Sequence, residues 1–130
     1  MLLAVNGTLM KGQPTNGILV EAGAAFARDA RTAPVYRLWD VGNKHPAMLR
    51  AAQGGASISL ELWLIEPEKM IAVLEKEPPG LCMGWVQLED GSSVLGILAE
   101  PYILAGCEEI TRFHGWREYL HARGSTIQSS

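Results

Sequence analysis

The pattern of apolar and polar positions predicts that most of this chain folds into β-strands. The clearest strand is ASISLELWLI, residues 56–65, where every second residue from position 58 to 64 is aliphatic. PVYRLWDV, residues 34–41, also alternates, with apolar residues on both faces. The segment 82–104, CMGWVQLEDGSSVLGILAEPYIL, is typical of two strands joined by a hairpin turn at Asp90 and Gly91. With a buried strand over LLAV, residues 2–5, we expect about six strands.

One main helix is predicted in the middle of the chain, over residues 67–77. Pro67 suits the first helical position, and Glu68 lies where the positive end of the helix dipole favours an acid. Pro78 and Pro79 prevent the helix from continuing, because proline lacks the N–H that the next helical turn requires. The helix therefore ends near Glu77.

Strands and helices do not alternate along the chain, which favours an α+β domain built on a curled sheet or a small barrel. Further helical turns are predicted in PTNGILVEAG, residues 14–23, and a short helix in ITRFHGWREYLHA, residues 110–122. A chain of 130 residues with 48% hydrophobic content is sufficient for one well-cored domain. We assign that domain to residues 1–124 and expect the polar end, residues 125–130, to be a disordered tail.

Composition narrows the possible partners to small molecules or proteins. The net charge of −3 and the absence of a run of Lys or Arg argue against binding to nucleic acid or anionic membranes. No stretch reaches the ~20 apolar residues of a membrane span. The start MLLAV resembles a buried strand more than a signal peptide, so we expect a cytoplasmic protein in which Cys82 and Cys107 stay reduced and buried.

Familiar cofactor, metal and nucleophile motifs are missing from the sequence. It contains no GxGxxG, GxxxxGK[ST], GxSxG, HExxH or CxxC. His45, His114 and His121 are scattered, which favours single surface or half-buried histidines over a metal site. Cys82 lies in a predicted strand with no neighbour that would lower its pKa, so core packing is favoured over a nucleophile. We therefore predict no cofactor and no bound metal.

Two features remain as candidates for chemistry. The first is the loop VNGTLMKG, where a turn at Gly7 and Thr8 can present consecutive backbone N–H groups to a carboxylate or an oxyanion. The alternative is a tight turn that uses glycine only for steric reasons. The second is Glu77, an acid at a helix C-terminus, where the dipole disfavours negative charge.

Glu77 also continues the predicted apolar stripe of the helix, formed by Met70, Ile71 and Leu74, at the position three residues beyond Leu74. Glu75 lies off that stripe and is interpreted as part of a solvated face. If Glu77 is buried, both burial and the helix end raise its pKa towards the range that suits a general base. The alternative is a carboxylate at a frayed helix end that points to water.

Several segments of the chain resemble the gamma-glutamylcyclotransferase-like superfamily. They are NGTLM after the first strand, TAPVYRLWDVGNKHPAML, ISLELWLIEPEKMIAVLEKEPPG and the ending EEITRFHGWREYL. Within that superfamily they are most similar to the carboxy-terminal domain of allophanate hydrolases, and the resemblance covers residues 2–120. It implies a small mixed β-barrel with flanking helices.

The resemblance also implies a site. The substrate loop of the cyclotransferases has the form Tyr-Gly-Ser-x-x and corresponds here to Asn6, Gly7, Thr8, Leu9 and Met10. These enzymes have tyrosine where this chain has asparagine. Their catalytic glutamate, at the end of the helix that follows the ELW-like strand, corresponds to Glu77. Similarity to allophanate hydrolase implies a different reaction, the decarboxylation of the N-carboxycarbamate that an amidase forms.

Two hypotheses follow for the function. In the first, the protein is a small-molecule enzyme that acts on a small amide, carbamate or gamma-glutamyl-like compound. Glu77 is then the general acid/base, and the loop at residues 6–10 holds the substrate and its oxyanion. In the second, it is a non-catalytic module that binds a metabolite or a separately encoded amidase, and Glu77 has a structural role. Two assemblies are left open, a homodimer and a complex with a separate amidase.

Overall fold

The computed structural model describes the backbone of residues 1–129 and the side chains of residues 1–124. The strands are β1 (Leu2–Val5), β2 (Ala25–Arg31), β3 (Tyr36–Val41), β4 (His45–Arg50), β5 (Ser59–Leu64), β6 (Leu81–Gln87), β7 (Ser93–Ala99) and β8 (Glu108–Glu109). The helices are α1 (Asn16–Glu21), α2 (Pro67–Glu75) and α3 (Trp116–Ser129), with short 3₁₀ helices at Pro101–Leu104 and Thr111–Phe113.

The strands form two sheets, which confirms the predicted α+β class. A five-stranded sheet has the order β2-β5-β1-β7-β6, in which β1 and β7 run parallel and the other pairs are antiparallel. A three-stranded antiparallel sheet has the order β4-β3-β8. β1 is central in the larger sheet, which explains why its sequence is apolar without alternation.

The predicted barrel overstates how far the larger sheet closes. Its outer strands β2 and β6 meet just beyond their ends, where Thr32 and Leu88 form an isolated bridge and the Ala33 amide donates to the Gln87 carbonyl at 2.9 Å. Among the described residues these contacts join the two edges at one end alone. The sheet is therefore curled, and β3, β4 and β8 form a separate layer because they pair with one another.

The predicted hairpin between β6 and β7 is confirmed. The Asp90 carboxylate accepts hydrogen bonds from the Ser92 amide at 2.9 Å and from the Ser92 hydroxyl at 2.6 Å. Gly91 has a φ of 90°, a conformation that side chains other than glycine rarely adopt. The turn therefore requires both residues that identify it in the sequence.

Helix α2 begins at Pro67 as predicted, but its buried stripe differs from the expected one. Met70 and Val73 are buried, whereas Ile71 is 66% exposed. Residues 70, 73 and 77 are spaced so that they lie on one face of the helical turns. Glu77, just after the helix, therefore lies on the face that packs against the protein interior. Leu74 is half-buried beside this face.

The backbone of α3 continues to Ser129, and residue 130 lies outside the described residues. The domain boundary at residue 124 and the tail over residues 125–130 stay predictions. Cys82 and Cys107 are free thiols as predicted, but both are half-buried where buried side chains were expected.

Within residues 1–129, no helix is long and apolar enough to cross a membrane.

Candidate functional site

The first loop, residues 6–10, leaves the central strand β1 and is held to the sheet by a buried side chain. Asn6 donates a hydrogen bond from its side-chain amide to the Ile97 carbonyl of β7 at 2.9 Å. The loop then turns, and the Met10 amide donates to the Gly7 carbonyl at 3.0 Å. Asn6 thus supports the loop mainly by fixing it to β7.

The amides of Gly7, Thr8 and Leu9 donate no hydrogen bond within the described residues. Buried backbone N–H groups are nearly always paired in proteins, so three consecutive free donors are unusual. The segment is held on its other side by Thr15, which donates from its amide to the Thr8 carbonyl at 3.0 Å and from its hydroxyl to the Thr8 hydroxyl at 2.8 Å. The loop is therefore fixed, and its donors are available to a ligand.

Gly7 is required by packing, since its backbone lies against the ring of Pro46 in β4. A Cβ atom at Gly7 would overlap Cδ and Cγ of that proline. The loop and the start of β4 are therefore in direct contact.

We expect Gly7→Ala to lower the free energy of unfolding by about 1–3 kcal/mol, because the added methyl group overpacks a buried contact. Gly17→Ala is the matched control, since a Cβ atom there meets nothing within 4 Å and α1 favours alanine. Urea unfolding of both variants measures the difference. Equal stabilities of the two variants would contradict the inferred contact.

Glu77 follows α2 by two residues and is half-buried. Its amide donates to the Leu74 carbonyl at 3.0 Å, which continues the helical turn. Its carboxyl group has no hydrogen-bond or ion-pair partner among the side chains that the structure describes. Burial without a partner raises the pKa of Glu77 to about 7. The carboxyl group therefore exists in both protonation states near neutral pH.

His45 lies in the same region, which sequence reasoning missed because it treated the histidines as surface or half-buried side chains. Its side chain is buried, at 8% exposure. Nδ1 lies 3.0 Å from the Pro46 carbonyl oxygen. Since a carbonyl only accepts, Nδ1 carries a proton and Nε2 is the ring nitrogen left for a ligand. The only signal in the sequence is the position of His45 just before Pro46.

These residues line one small cavity, which we call the Glu77 cavity. Its volume is about 20 Å³, and its walls come from β1, the first loop, β4, β6 and β7 together with Glu77. It has room for about one water molecule and is far smaller than the ~300–1,000 Å³ of typical ligand pockets. A larger ligand therefore has to extend from the cavity towards the surface or widen it.

The structure brings together Glu77 and four of the five predicted loop residues, Asn6, Gly7, Thr8 and Leu9. Met10 is separate from them, because the turn directs it to the opposite side of the loop. It lines an open groove of about 510 Å³ whose walls come from β2, β5, the β6–β7 hairpin and the start of α3. That groove is larger, but its walls are mainly exposed charged side chains of both signs, so we assign the candidate chemistry to the Glu77 cavity.

The buried carboxylate of Glu61 holds the end of the first loop in place through a hydrogen bond from Lys11. Glu61 in β5 is 1% exposed and accepts hydrogen bonds from the Lys11 amide at 2.9 Å, the Trp63 indole at 3.0 Å and Arg117 at 2.8 Å. Burial alone would raise the pKa of Glu61, but these donors outweigh burial and lower it. The sequence places Glu61 on the polar side of a strand and does not reveal this network.

Metal ligation is not supported by the part of the chain that the structure describes. No group of three His, Cys, Asp or Glu side chains in it is arranged to hold a metal ion. The residues that line the Glu77 cavity offer one carboxyl group, one imidazole, the Thr8 hydroxyl, the Asn6 side-chain amide and backbone amides.

Comparison with known proteins identifies the family. Residues 1–121 match the family model of the allophanate hydrolase C-terminal domain. This chain belongs to that family. The urea amidolyase of Saccharomyces cerevisiae is 30% identical over 125 residues, covering 91% of this chain and 7% of the amidolyase. The chain thus spans a small part of that relative's length.

Solved structures share the fold of this family member. A uropathogenic E. coli-specific protein superposes with a TM-score of 0.91 at 44% identity, covering 92% of this chain and 94% of the other. An AIG2-like protein from Mus musculus superposes with a TM-score of 0.57 at 23% identity, covering 79% and 81% of the two chains. The predicted gamma-glutamylcyclotransferase-like fold is therefore confirmed.

Proposed function

We propose that this allophanate hydrolase C-terminal domain is an enzyme that transfers an acyl group of a small amide, carbamate or gamma-glutamyl-like compound. One observation carries the proposal. Glu77, whose carboxyl group has no partner among the described side chains, and three consecutive residues with free backbone amides line the same small cavity. Acyl transfer needs these two functions, a group that moves a proton and donors for the oxyanion.

In the proposed reaction, the Glu77 carboxylate takes a proton from an attacking amine or water as the new bond to the carbonyl carbon forms. The carbonyl oxygen becomes an oxyanion and accepts hydrogen bonds from the amides of Gly7, Thr8 and Leu9. When the tetrahedral intermediate collapses, the C–N bond breaks and protonated Glu77 returns the proton to the leaving nitrogen. Glu77 ends as a carboxylate, so the cycle is balanced.

The pKa of Glu77 supports this role. A value of about 7 lets the group act as a base and then as an acid at neutral pH without a large cost for either step. An ordinary glutamate with a pKa near 4.5 would be a much weaker base. A role in proton transfer would account for an ionisable side chain in this half-buried position, where burial disfavours its charged form.

The source of the substrate is part of the proposal. In urea amidolyase the matching region is 7% of a much longer protein, and the resemblance to allophanate hydrolase links this region to an amidase step. We therefore propose that an amidase supplies an amide or carbamate product to this chain.

The proposal is tested by incubating the protein with γ-glutamyl amines, carbamoyl amino acids and small carbamates, and by measuring released amine and carbon dioxide. For a compound that turns over, we expect kcat/KM to rise with pH through an inflection near 7, because the free enzyme needs the carboxylate form of Glu77. A profile that falls through pH 7 would contradict the role of Glu77 as the initial base.

The small cavity also favours a second candidate function. A volume of about 20 Å³ holds no complete substrate, which suits a module that binds a partner or the end of a metabolite without turnover. Saturable binding of the same compounds without release of amine or carbon dioxide would favour this function.

A further inference from the structure

We propose that one face of β6, which carries Leu81, Met83 and Trp85 and which we call the Trp85 face, binds an uncharged apolar group on the leaving nitrogen of the substrate. This inference rests on the proposed function and names its substrate class, the amides or carbamates of apolar amines in preference to those of charged amines. It concerns a surface outside the Glu77 cavity, whereas the resemblance to known families points only to Glu77 and the first loop.

The Glu77 cavity has room only for the reacting group of a substrate. Its volume of about 20 Å³ suits a carbonyl group, so the substituents have to lie outside it. In the proposed reaction Glu77 protonates the leaving nitrogen, so a group on that nitrogen lies on the Glu77 side. From Glu77 the chain turns at residues 78–80 and enters β6 at Leu81, which also lines the cavity. A group on the leaving nitrogen can therefore continue along β6.

The Trp85 face runs from the cavity along an outer strand of the larger sheet. The register of β6 with β7 is regular, so Leu81, Met83 and Trp85 lie on the same face. Leu81 and Met83 are half-buried and Trp85 is 66% exposed, whereas Val86 on the opposite face is fully buried. At ~3.4 Å per residue, the face is ~14 Å long from residue 81 to residue 85. An extended chain that leaves the cavity can therefore lie along it.

The neighbouring strand β7 extends this surface without adding a charge. Ile97, opposite Met83, lines the Glu77 cavity, and Leu95, opposite Trp85, is half-buried. Beyond Trp85 on the same face, the register pairs Gln87 with Ser93, which are polar but not ionisable. A charged group would lose hydration here without gaining a partner of opposite charge, whereas an apolar group is favoured by the hydrophobic effect.

N-octylacetamide and N-(7-aminoheptyl)acetamide are suitable probes, since their chains have equal length and only the second ends in a charge. Each is titrated into the ¹⁵N-labelled protein while the indole and β6 amide signals are followed by NMR. We expect N-octylacetamide to shift the Trp85 signals saturably and to bind at least about fivefold more tightly than the charged probe. The half-buried Trp39 in the smaller sheet is the internal control for unspecific shifts.

The length of the chain gives a second comparison. N-butylacetamide is expected to bind about 16-fold more weakly than N-octylacetamide. Each of the four methylene groups on an open face contributes about twofold, which corresponds to half of the free energy of full burial.

Two variants test whether the Trp85 face itself is responsible. We expect Trp85→Ala to weaken N-octylacetamide binding by about 5- to 20-fold but N-butylacetamide binding by less than about twofold, because the shorter chain ends before residue 85. Tyr102→Ala is the matched control, since Tyr102 is equally exposed but lies in the 3₁₀ helix after β7. It is expected to leave both affinities unchanged. Amide spectra establish that each variant is folded, and the wild-type titrations need no variant.

Three results of the titrations would overturn the inference: no saturable shift at Trp85 in the wild-type protein, equal affinities for the octyl and aminoheptyl probes, or unchanged affinity in a folded Trp85→Ala variant. Sedimentation velocity tests for another occupant of the same face, a second copy of this chain. A wild-type dimer that dissociates in Trp85→Ala would also overturn the inference.

Failure of the inference is distinguishable from failure of the proposed function. If a short-chain amide turns over and requires Glu77, but chain length and Trp85 have no effect on binding, the inference alone fails. If N-octylacetamide binds along the Trp85 face and no compound turns over, the proposed enzyme fails and the apolar site stands.

Discussion

Replacing Glu77 with glutamine is expected to lower kcat/KM for any substrate found by about 10²–10⁴-fold, the usual contribution of a general acid/base. Glutamine preserves the size of the side chain and can donate and accept hydrogen bonds, but it cannot take a proton from an attacking nitrogen or oxygen. The measurement is steady-state release of amine or carbon dioxide. Loss of the inflection near pH 7 is expected together with the loss of rate.

The matched control for this variant is Glu75→Gln. Glu75 is the last residue of α2 and is exposed, so it shares the helix end with Glu77 but not the cavity. We expect its kcat/KM to stay within about twofold of the wild-type value. If both variants lose activity equally, the effect belongs to the helix end, and Glu77 has no special role in proton transfer.

Stability gives a readout of Glu77 that needs no substrate. Its pKa is raised from 4.5 to about 7 in the folded protein, so between these pH values the folded state holds a proton that the unfolded state has lost. The free energy of unfolding is therefore expected to fall as pH rises through this window, by about 3 kcal/mol at most. Glu77→Gln is expected to lack this fall and to be the more stable protein at pH 8.

The main features of the fold follow from local sequence chemistry. The hairpin between β6 and β7 depends on Asp90 and Gly91, which interact with close neighbours. Pro67 suits the first position of α2 through its fixed φ, and Pro78 prevents the helix from continuing beyond residue 77. The inward position of Glu77 follows from helical spacing in the same way. These features need no information about distant parts of the chain.

The rest of the candidate site depends on contacts between distant segments, which periodicity does not encode. His45 reaches the cavity because a turn with Asn43 at positive φ starts β4 beside Gly7, some forty residues earlier in the chain. Met10 leaves the site because the loop turns after Leu9. The incomplete closure of the larger sheet likewise depends on how strongly its outer strands curl towards each other.

Removing the cation beside the buried carboxylate of Glu61 is expected to have the largest effect on stability. Arg117→Met keeps most of the apolar stem but leaves Glu61 with two donors, the Lys11 amide and the Trp63 indole. A buried charge that loses its partner typically costs about 3–5 kcal/mol, so we expect a loss of about that size in urea unfolding at neutral pH. The first loop is expected to loosen as well, since Arg117 also donates to the Lys11 carbonyl.

Two further variants separate the buried charge of Glu61 from the loss of an arginine in an exposed ion pair. Arg112→Met breaks the ion pair with Glu108 at 3.4 Å, whose side chains are 65% and 57% exposed, and is expected to cost less than about 1 kcal/mol. Adding Glu61→Gln to Arg117→Met removes the unpaired charge, so the double variant is expected to be more stable than Arg117→Met alone. If the second substitution lowers stability further, the Glu61 carboxylate is stabilised by its remaining donors, and the loss in Arg117→Met comes from packing. The support of the first loop would then depend on the fit of α3 against residue 11 and not on the ion pair.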